Sequence, residues 1–435
     1  MITFEESALT AIDLINNTSD NVFLTGQAGT GKSTLVRHIL EKTGKAAIIL
    51  APTGIAAINI GGSTIHSMLG IPIGMYLMED IEEDVPFNTF GNDDLIAKSG
   101  RISRTKKAAI KHAEFMVIDE VSMLRADLLD AVDKMLRLIR NSKKKFGGLQ
   151  VLFVGDMLQL PPVLTEIEKS FFYKNYESEF FFEAKCVAGM LMHKIELKQI
   201  HRQVDLDFIS VLNNLRSMKL TAEDVTILNS KVNGGDMSTE NGIYITTHNY
   251  KADAINASMI DKIKEEPSTY TAMVDGYFNS NNVLAPDELV VKTGMRVMTV
   301  VNNGDDYFNG KIGTVGEHSD KSIQVIFEDG KYVIDKYTWE NIAMEYDHTT
   351  RKIRKVVMGT FTQFPLKAAY AITVHKSQGL TFSKAILDIN EVFSSGQAYT
   401  ALSRLRNLSG LTLINPISTG IQLQMNARLF EFINS

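Results

Sequence analysis

A single cysteine, Cys186, is the whole thiol content of this 435-residue chain. No internal disulfide can form, and a reducing compartment fits. Long apolar runs are missing too: none approaches the roughly 20 residues that span a bilayer. The N-terminal stretch MITFEESALTAIDLI has no basic region and reads as an amphipathic helix, not a secretory signal. Positive charge is in deficit, with 45 Lys and Arg against 51 Asp and Glu and a net charge of −6. That balance excludes whole-surface adhesion to nucleic acid. It does not exclude a local basic groove, because charges are screened over ~8 Å at physiological salt. The lone tryptophan, Trp339, reads as a core residue. With 44% hydrophobic and 22% charged residues, the chain is a globular protein long enough for two or more domains.

The strongest motif comes early. NVFLTGQAGTGKSTLVRHIL is a short apolar strand, a glycine-rich turn and a helix, and Gly26 to Ser33 fits G-x-x-x-x-G-K-[ST]. Such a loop wraps phosphates in main-chain N–H groups. Its cradle is Gly26, Ala28, Gly29, Thr30, Gly31, Lys32, Ser33 and Thr34. Lys32 reaches the β- and γ-phosphates, and the Ser33 hydroxyl can ligate Mg²⁺. A second acid is needed, and HAEFMVIDEVSML supplies it as a buried strand ending in Asp119-Glu120. Asp119 would hold Mg²⁺ through its water shell, and Glu120 would orient and deprotonate the attacking water. The sequence therefore points to a nucleoside triphosphate, hydrolysed or at least bound, with Mg²⁺ as its companion.

GLQVLFVGDMLQLPPV, residues 148–163, begins as a buried strand and ends in a glutamine held between Gly155 and Pro161-Pro162. Standing alone, Gln159 would be an ordinary loop amide. Beside a P-loop it suits a contact to the γ-phosphate, since an amide can accept from water and donate to phosphate.

Further stretches follow in order: APTGIAA, GGSTIHSML, VIDEVSML, GDMLQLPPV, ELKQIHRQ, TVHKSQGLTF and AYTALSRLR. Together they resemble the ordered motif set of superfamily 1 class B helicases, and most closely the petite-integration-frequency (PIF) family, with RecD-like helicases as cousins. The resemblance runs from Gly26 to about Asn415. EVSMLRADLLDAVDKMLRLIR resembles the helix that marks the PIF branch. Its apolar positions recur at helical spacing, so most of it packs a core face and scaffolds the loops around it. One feature departs from the family: FEESALTAI lacks the glutamine that reads adenine, which leaves Glu5 or Glu6, or packing alone, for that task.

The resemblance implies an α/β fold of two RecA-like P-loop NTPase lobes, with a small wedge insertion and an SH3-like all-β insertion. The first lobe is expected over 1–66 and 102–176 around a wedge at 67–101; the second over 177–256 and 362–435 around a β insertion at 257–361. Alternating runs such as SIQVIFEDGKYVIDKY, with a turn at Asp329-Gly330, support the β assignment independently. MEDIEEDV in the wedge reads as a solvated acidic face, with Phe87 and Phe90 as a candidate apolar edge. Arg202 and Arg404 are implied as arginine fingers reaching the γ-phosphate across the cleft, and Gln378 and Gly379 as further nucleotide contacts. On the DNA side the resemblance implies Pro52, Thr53, Gly54, Thr64 and His66 from the first lobe, and Asn249, Thr373, His375 and Lys376 from the second. These side chains suit phosphate oxygens and include no reader of base edges, so binding would be independent of sequence.

The implied activity is ATP-driven 5′→3′ translocation and unwinding. Its partners would be single-stranded DNA, single-strand/duplex junctions and G-quadruplex DNA. One chain supplies both lobes, so a monomer suffices, and no membrane is involved. Short flanks around the motifs point to a bacterial or viral source and a cytoplasmic location. A RecD-like recombination helicase, or a DNA-stimulated ATPase without processive unwinding, shares most of these motifs. A clamp loader or transport motor would not need Gln159, the TVHKSQG loop or a β module.

Overall fold

The computed structural model describes residues 4–77, 88–203, 205–233, 242–303, 306–347, 349–350, 352–392, 394, 396–421 and 426–434. Six parallel strands form the first sheet, in the order Ser63–Thr64, Ala47–Ala51, Phe115–Ile118, Gln150–Val154, Asn21–Gly26, Met192–Leu197. The central strands are apolar along nearly their whole length and buried on both faces, as a parallel sheet covered by helices requires. The second sheet has four parallel strands: Ala371–Thr373, Ile243–Thr246, Ala385–Asp388 and Leu411–Leu413. Two parallel α/β lobes are thus present, each with its own core.

The helix Ala126–Arg140 braces the first lobe. Its apolar face is buried, and so are three aspartates at helical spacing, Asp127, Asp130 and Asp133. Each accepts main-chain N–H groups from other segments. Asp127 takes Tyr76 (2.9 Å), Asp130 takes Lys185 (2.9 Å) and Cys186 (2.8 Å), and Asp133 takes Phe146 (2.5 Å). A buried carboxylate is tolerable only when satisfied in this way. At the helix end Arg140 donates to the carbonyls of Ile110, Lys111 and Ala113, closing the helix Arg104–His112. The scaffolding expected of this stretch is therefore built from carboxylates as well as apolar residues.

Three expected boundaries move. Strand Met192–Leu197 pairs with Asn21–Gly26 from Asn21↔Met192 to Gly26↔Leu197, so the first lobe extends to 197 rather than ending at 176. MHKIEL alternates because it is an edge strand with one face open. The chain end also returns to the first lobe: helix Ala427–Asn434 buries Leu429 in the first core and stacks Phe432 on Phe182 at 4.2 Å. The β insertion runs past 361, because Leu366–Ala368 pairs with Arg296–Thr299.

That insertion is all-β. A five-stranded antiparallel sheet contains Ile312–His318, Ser322–Phe327 and Gly330–Asp335 beside those two strands. Its tight turn is Glu328-Asp329, one residue earlier than expected, with Phe327 facing Gly330. Trp339 is buried against Phe361 at 5.7 Å, a core residue as expected. A long hairpin, Tyr337–Asp347 with Lys352–Gln363, reaches the first lobe, where Met344 joins the core and Tyr346 stacks on His112 at 3.5 Å. In the 67–101 insertion, Phe90 lies 6.0 Å from Tyr76 and packs against the first core, which corrects its reading as an apolar edge. Phe87 and the acidic MEDIEEDV lie outside the described residues. No helix among the described residues is long and apolar enough to cross a membrane.

Candidate nucleotide cleft and nucleic-acid face

Strand Asn21–Gly26 delivers the P-loop, and helix Lys32–Lys42 begins directly after it. Gly29 and Gly31 hold φ of +85° and +84°, where a side chain is strained. At Gly29 a Cβ would also lie 2.4 Å from Arg202 Cβ, because the segment entering the second lobe crosses the loop there. His201 N–H donates to Gly29 O at 2.9 Å at the same crossing. Lys32 Nζ donates to the carbonyls of Gly26 (2.7 Å) and Gln27 (3.0 Å). Burial pulls its pKa down, against the opposing pull of Asp156 and Glu120.

Of the acidic pair, Glu120 lines the cleft and Asp119 lies behind it. Glu120 N–H donates to Asp119 Oδ1 at 2.9 Å, and Glu120 itself holds φ +52°, which is uncommon for a side chain of its size. Burial first, and then the neighbouring Glu120, push the Asp119 carboxyl up to about 7; burial raises Glu120 as well. Gln378 Nε2 donates to Glu120 Oε2 at 3.1 Å, so this glutamine reaches the site through the acid. The hydroxyl of Ser33 and the carboxyl of Asp119 are hard oxygen donors that fit Mg²⁺. Two crowded, buried carboxyls are also a setting that a cation relieves. Among the described residues no group of three His, Cys, Asp or Glu could hold a metal alone, so the ion's other ligands would be phosphate oxygens and water.

The loop carrying Gln159 leaves the first sheet and enters the second lobe. Leu160 is fully buried in the second core, which is why this buried strand runs out into a proline-locked loop. Gln159 Nε2 donates to Asp156 Oδ2 at 3.3 Å. Across from it, Arg404 is fully buried and Arg202 half-buried, and their hydrogen bonds go to uncharged oxygens. Arg202 Nη1 reaches Ser403 O (3.2 Å), and Arg404 reaches Thr400 O (2.9 Å) and Ser403 Oγ (3.0 Å). Burial, and then Arg202 beside it, draw the Arg404 guanidinium down to about 9, still a cation at neutral pH.

A cleft of about 700 Å³ between the lobes brings together Ala28, Gly29, Gly31, Lys32, Ser33, Thr34, Glu120, Gln159, Arg202, Gly379 and Arg404. Gly26, Thr30, Asp119 and Gln378 do not line it. Thr30 is buried and its hydroxyl donates to Gln27 O at 3.0 Å. His201, Thr381, Arg406 and Asn407 line the cleft and were not read from the sequence. Arg406 ends the AYTALSRLR run and Asn407 follows it, and that position was the only available signal. Glu5 is not at the cleft: its carboxylate accepts the N–H groups of Lys198 (2.9 Å) and Gln199 (3.2 Å).

The second-lobe DNA candidates converge. Asn249, Thr373, His375 and Lys376 line one groove of about 470 Å³ with Thr247, His248 and Val163. They follow two neighbouring strands in which Thr246 pairs with Thr373. Burial lowers the pKa of His375, leaving a neutral imidazole. The first-lobe candidates likewise follow neighbouring strands, Ala51 pairing with Thr64. Thr53 and Thr64 cap the helices Gly54–Ile60 and Ile65–Leu69 by accepting from Ala56 N–H and Ser67 N–H. Burial, and then Arg125, lower the pKa of His66. None of the first-lobe candidates lines that groove. A Cβ on Gly54 would lie 2.0 Å from Asn282 Oδ1, so the β insertion stands directly against the first-lobe set.

With this geometry in place, comparison with known proteins gives a consistent result. The sequence model of the PIF1-like helicase family matches residues 4–226. The ATP-dependent DNA helicase Pif1 of Campylobacter jejuni is 30% identical over 91% of this chain and 88% of its own length. The crystal structure of Bacteroides sp. Pif1 in complex with ADP-AlF4 is 36% identical and superposes with a TM-score of 0.89 over 100% of this chain and 97% of that one. The chain belongs to the PIF1-like helicase family. It spans 52% of the length of the Candida albicans relative, which is 28% identical over 91% of this chain, and 57–61% of four other eukaryotic relatives. The Bacteroides protein bound to single-stranded DNA superposes less well, at 0.69, although the identity is again 36%. The unliganded Bacteroides protein superposes at 0.86, so the arrangement of this chain is nearer the DNA-free structures than the DNA complex.

Proposed function

We propose that this chain is an ATP-dependent DNA helicase that moves 5′→3′ on single-stranded DNA and opens duplex ahead of it, with junctions and G-quadruplex DNA among its substrates. One observation carries the reading: a single cleft holds Lys32, Glu120 and Gln159 from the first lobe against Arg202 and Arg404 from the second. Hydrolysis and lobe closure then use the same atoms. The P-loop N–H groups and Lys32 bind the phosphates. Glu120 orients the attacking water and takes its proton. Arg202 and Arg404 stabilise charge on the transferring phosphoryl group. Mg²⁺, held with Ser33 and Asp119, neutralises phosphate charge when bound.

Gln159 sits four residues before Val163, which lines the second-lobe groove. Closure of the cleft therefore bears on the surface where Asn249, Thr373, His375 and Lys376 would meet phosphates. The first-lobe set, Pro52 to Gly54 with Thr64 and His66, provides the alternate grip. Direction comes from the class resemblance; nothing in the residue chemistry supplies it. The test is ATP-driven opening of two matched duplexes, one with a 5′ and one with a 3′ single-stranded tail. Opening only the 5′-tailed duplex is expected. Opening only the 3′-tailed one would overturn the direction and the DNA assignments with it.

A further inference from the structure

We propose that Tyr399 and Arg216, both on the second lobe, are positioning residues that hold the Asp156 carboxylate and through it set Gln159 for ATP turnover. The proposal rests on the reading of Gln159 and the cleft given above.

Asp156 follows the strand Gln150–Val154 of the first lobe and is 1% exposed. Arg216 ends the helix Leu206–Arg216 and reaches Oδ1 with Nε (3.3 Å) and Nη2 (3.1 Å). Tyr399 lies in the helix Gln397–Leu402, and its hydroxyl donates to Oδ2 at 3.2 Å. The same hydroxyl accepts the N–H of Ala28 in the P-loop at 3.2 Å. Gln159 Nε2 donates to that same Oδ2 at 3.3 Å. One first-lobe carboxylate is therefore shared among a cleft glutamine and two groups from the opposite lobe, and the tyrosine joins it to the phosphate loop.

The surroundings tie the node to closure. Gly396 of the second lobe sits so close that a Cβ there would lie 2.2 Å from Gln159 O. Burial by itself would raise the Asp156 pKa, but Arg216 and Lys32 outweigh it and keep the carboxyl ionised, so it remains a strong acceptor. If the lobes part, Arg216 and Tyr399 withdraw together. Gln159 then keeps a carboxylate oriented only by Leu158 N–H of its own loop, and Ala28 N–H loses its acceptor. Closure restores all four bonds at once. An ion pair serving stability alone would have no reason to share its acceptor with a cleft glutamine and a P-loop amide.

The test uses the full chain and saturating oligo-dT. Tyr399→Phe removes one hydroxyl and keeps the ring. The expected result is a kcat for ATP lowered about tenfold, with KM changed by less than about twofold. Arg216→Lys should recover part of the kcat lost in Arg216→Met, which a requirement for packing alone would not produce. Tyr399→Phe combined with Gln159→Ala should be no slower than the worse single variant. Three results overturn the proposal: a wild-type kcat in Tyr399→Phe, a rise in KM without loss of kcat, or a double loss equal to the product of the single losses. If Gln159→Ala itself turns over ATP at the wild-type rate, the reading of the cleft fails first and the relay falls with it. If Gln159→Ala is slow and Tyr399→Phe is not, only the relay falls.

Discussion

The two lobes place cations at the same cleft in different ways. Lys32 hangs on a loop whose own carbonyls hold it, and the loop is one contiguous run of sequence. Arg404 is fully buried in the second lobe and bonded to its own helix, and it matters only because Arg202, Gly379 and Thr381, from distant segments, border the same space. In the proposed function, the first lobe binds the nucleotide and the second completes the site on closure. Their bracing differs in degree as well: three buried carboxylates of one helix, Asp127, Asp130 and Asp133, pin main-chain N–H groups in the first lobe, while in the second Asp205 accepts from Leu408 and Phe208.

The comparison can be broken most severely at the cations. Arg404→Ala should lower DNA-stimulated ATP turnover about a thousandfold and leave the affinity for a fluorescent ADP analogue nearly intact. Lys32→Ala should lose both. Equal loss of binding in the two variants would erase the distinction between a lobe that binds and a lobe that completes. Asp130→Ala sharpens the contrast in bracing. It strands the Tyr176 hydroxyl and the N–H groups of Lys185 and Cys186, and should cost about 3 kcal/mol in urea unfolding of the first lobe. A cost under about 1 kcal/mol would mean that the apolar face of the helix does the bracing alone.

Smaller effects are expected on the nucleic-acid side. Lys376→Ala should weaken single-stranded DNA binding about fivefold and reduce the salt slope by about 1, as for one lost phosphate contact. An unchanged slope would remove Lys376 from the backbone contacts. Smallest of all, Glu5→Gln should leave the ratio of ATP to GTP turnover unchanged, because Glu5 binds the linker at Lys198 and Gln199 rather than the cleft. A changed ratio would return it to the role of base reader.

What could be read from the sequence follows the same division. The P-loop and Asp119-Glu120 were legible as candidates because each depends on a few adjacent residues in a fixed local geometry, and Gln159 was legible only beside them. The family resemblance extended that reading to Arg202 and Arg404. Asp156, Arg216 and Tyr399 were not legible, since only the packing of the two lobes brings a strand end and two helices onto one carboxylate. The edge strand Met192–Leu197 was misplaced for a similar reason. A polar, alternating hexamer beside a linker shows no preference between sheets until its partner Asn21–Gly26 is known. The returning helix Ala427–Asn434 is amphipathic, and nothing local says which lobe receives Leu429 and Phe432.

The central claim is that one cleft, built by both lobes, couples ATP hydrolysis to DNA held on the neighbouring face. ATP turnover of the full chain, measured with and without single-stranded DNA at saturating nucleotide, tests it most directly. The account predicts a several-fold rise in kcat with DNA that disappears in Arg404→Ala. The same rate with and without DNA would contradict it.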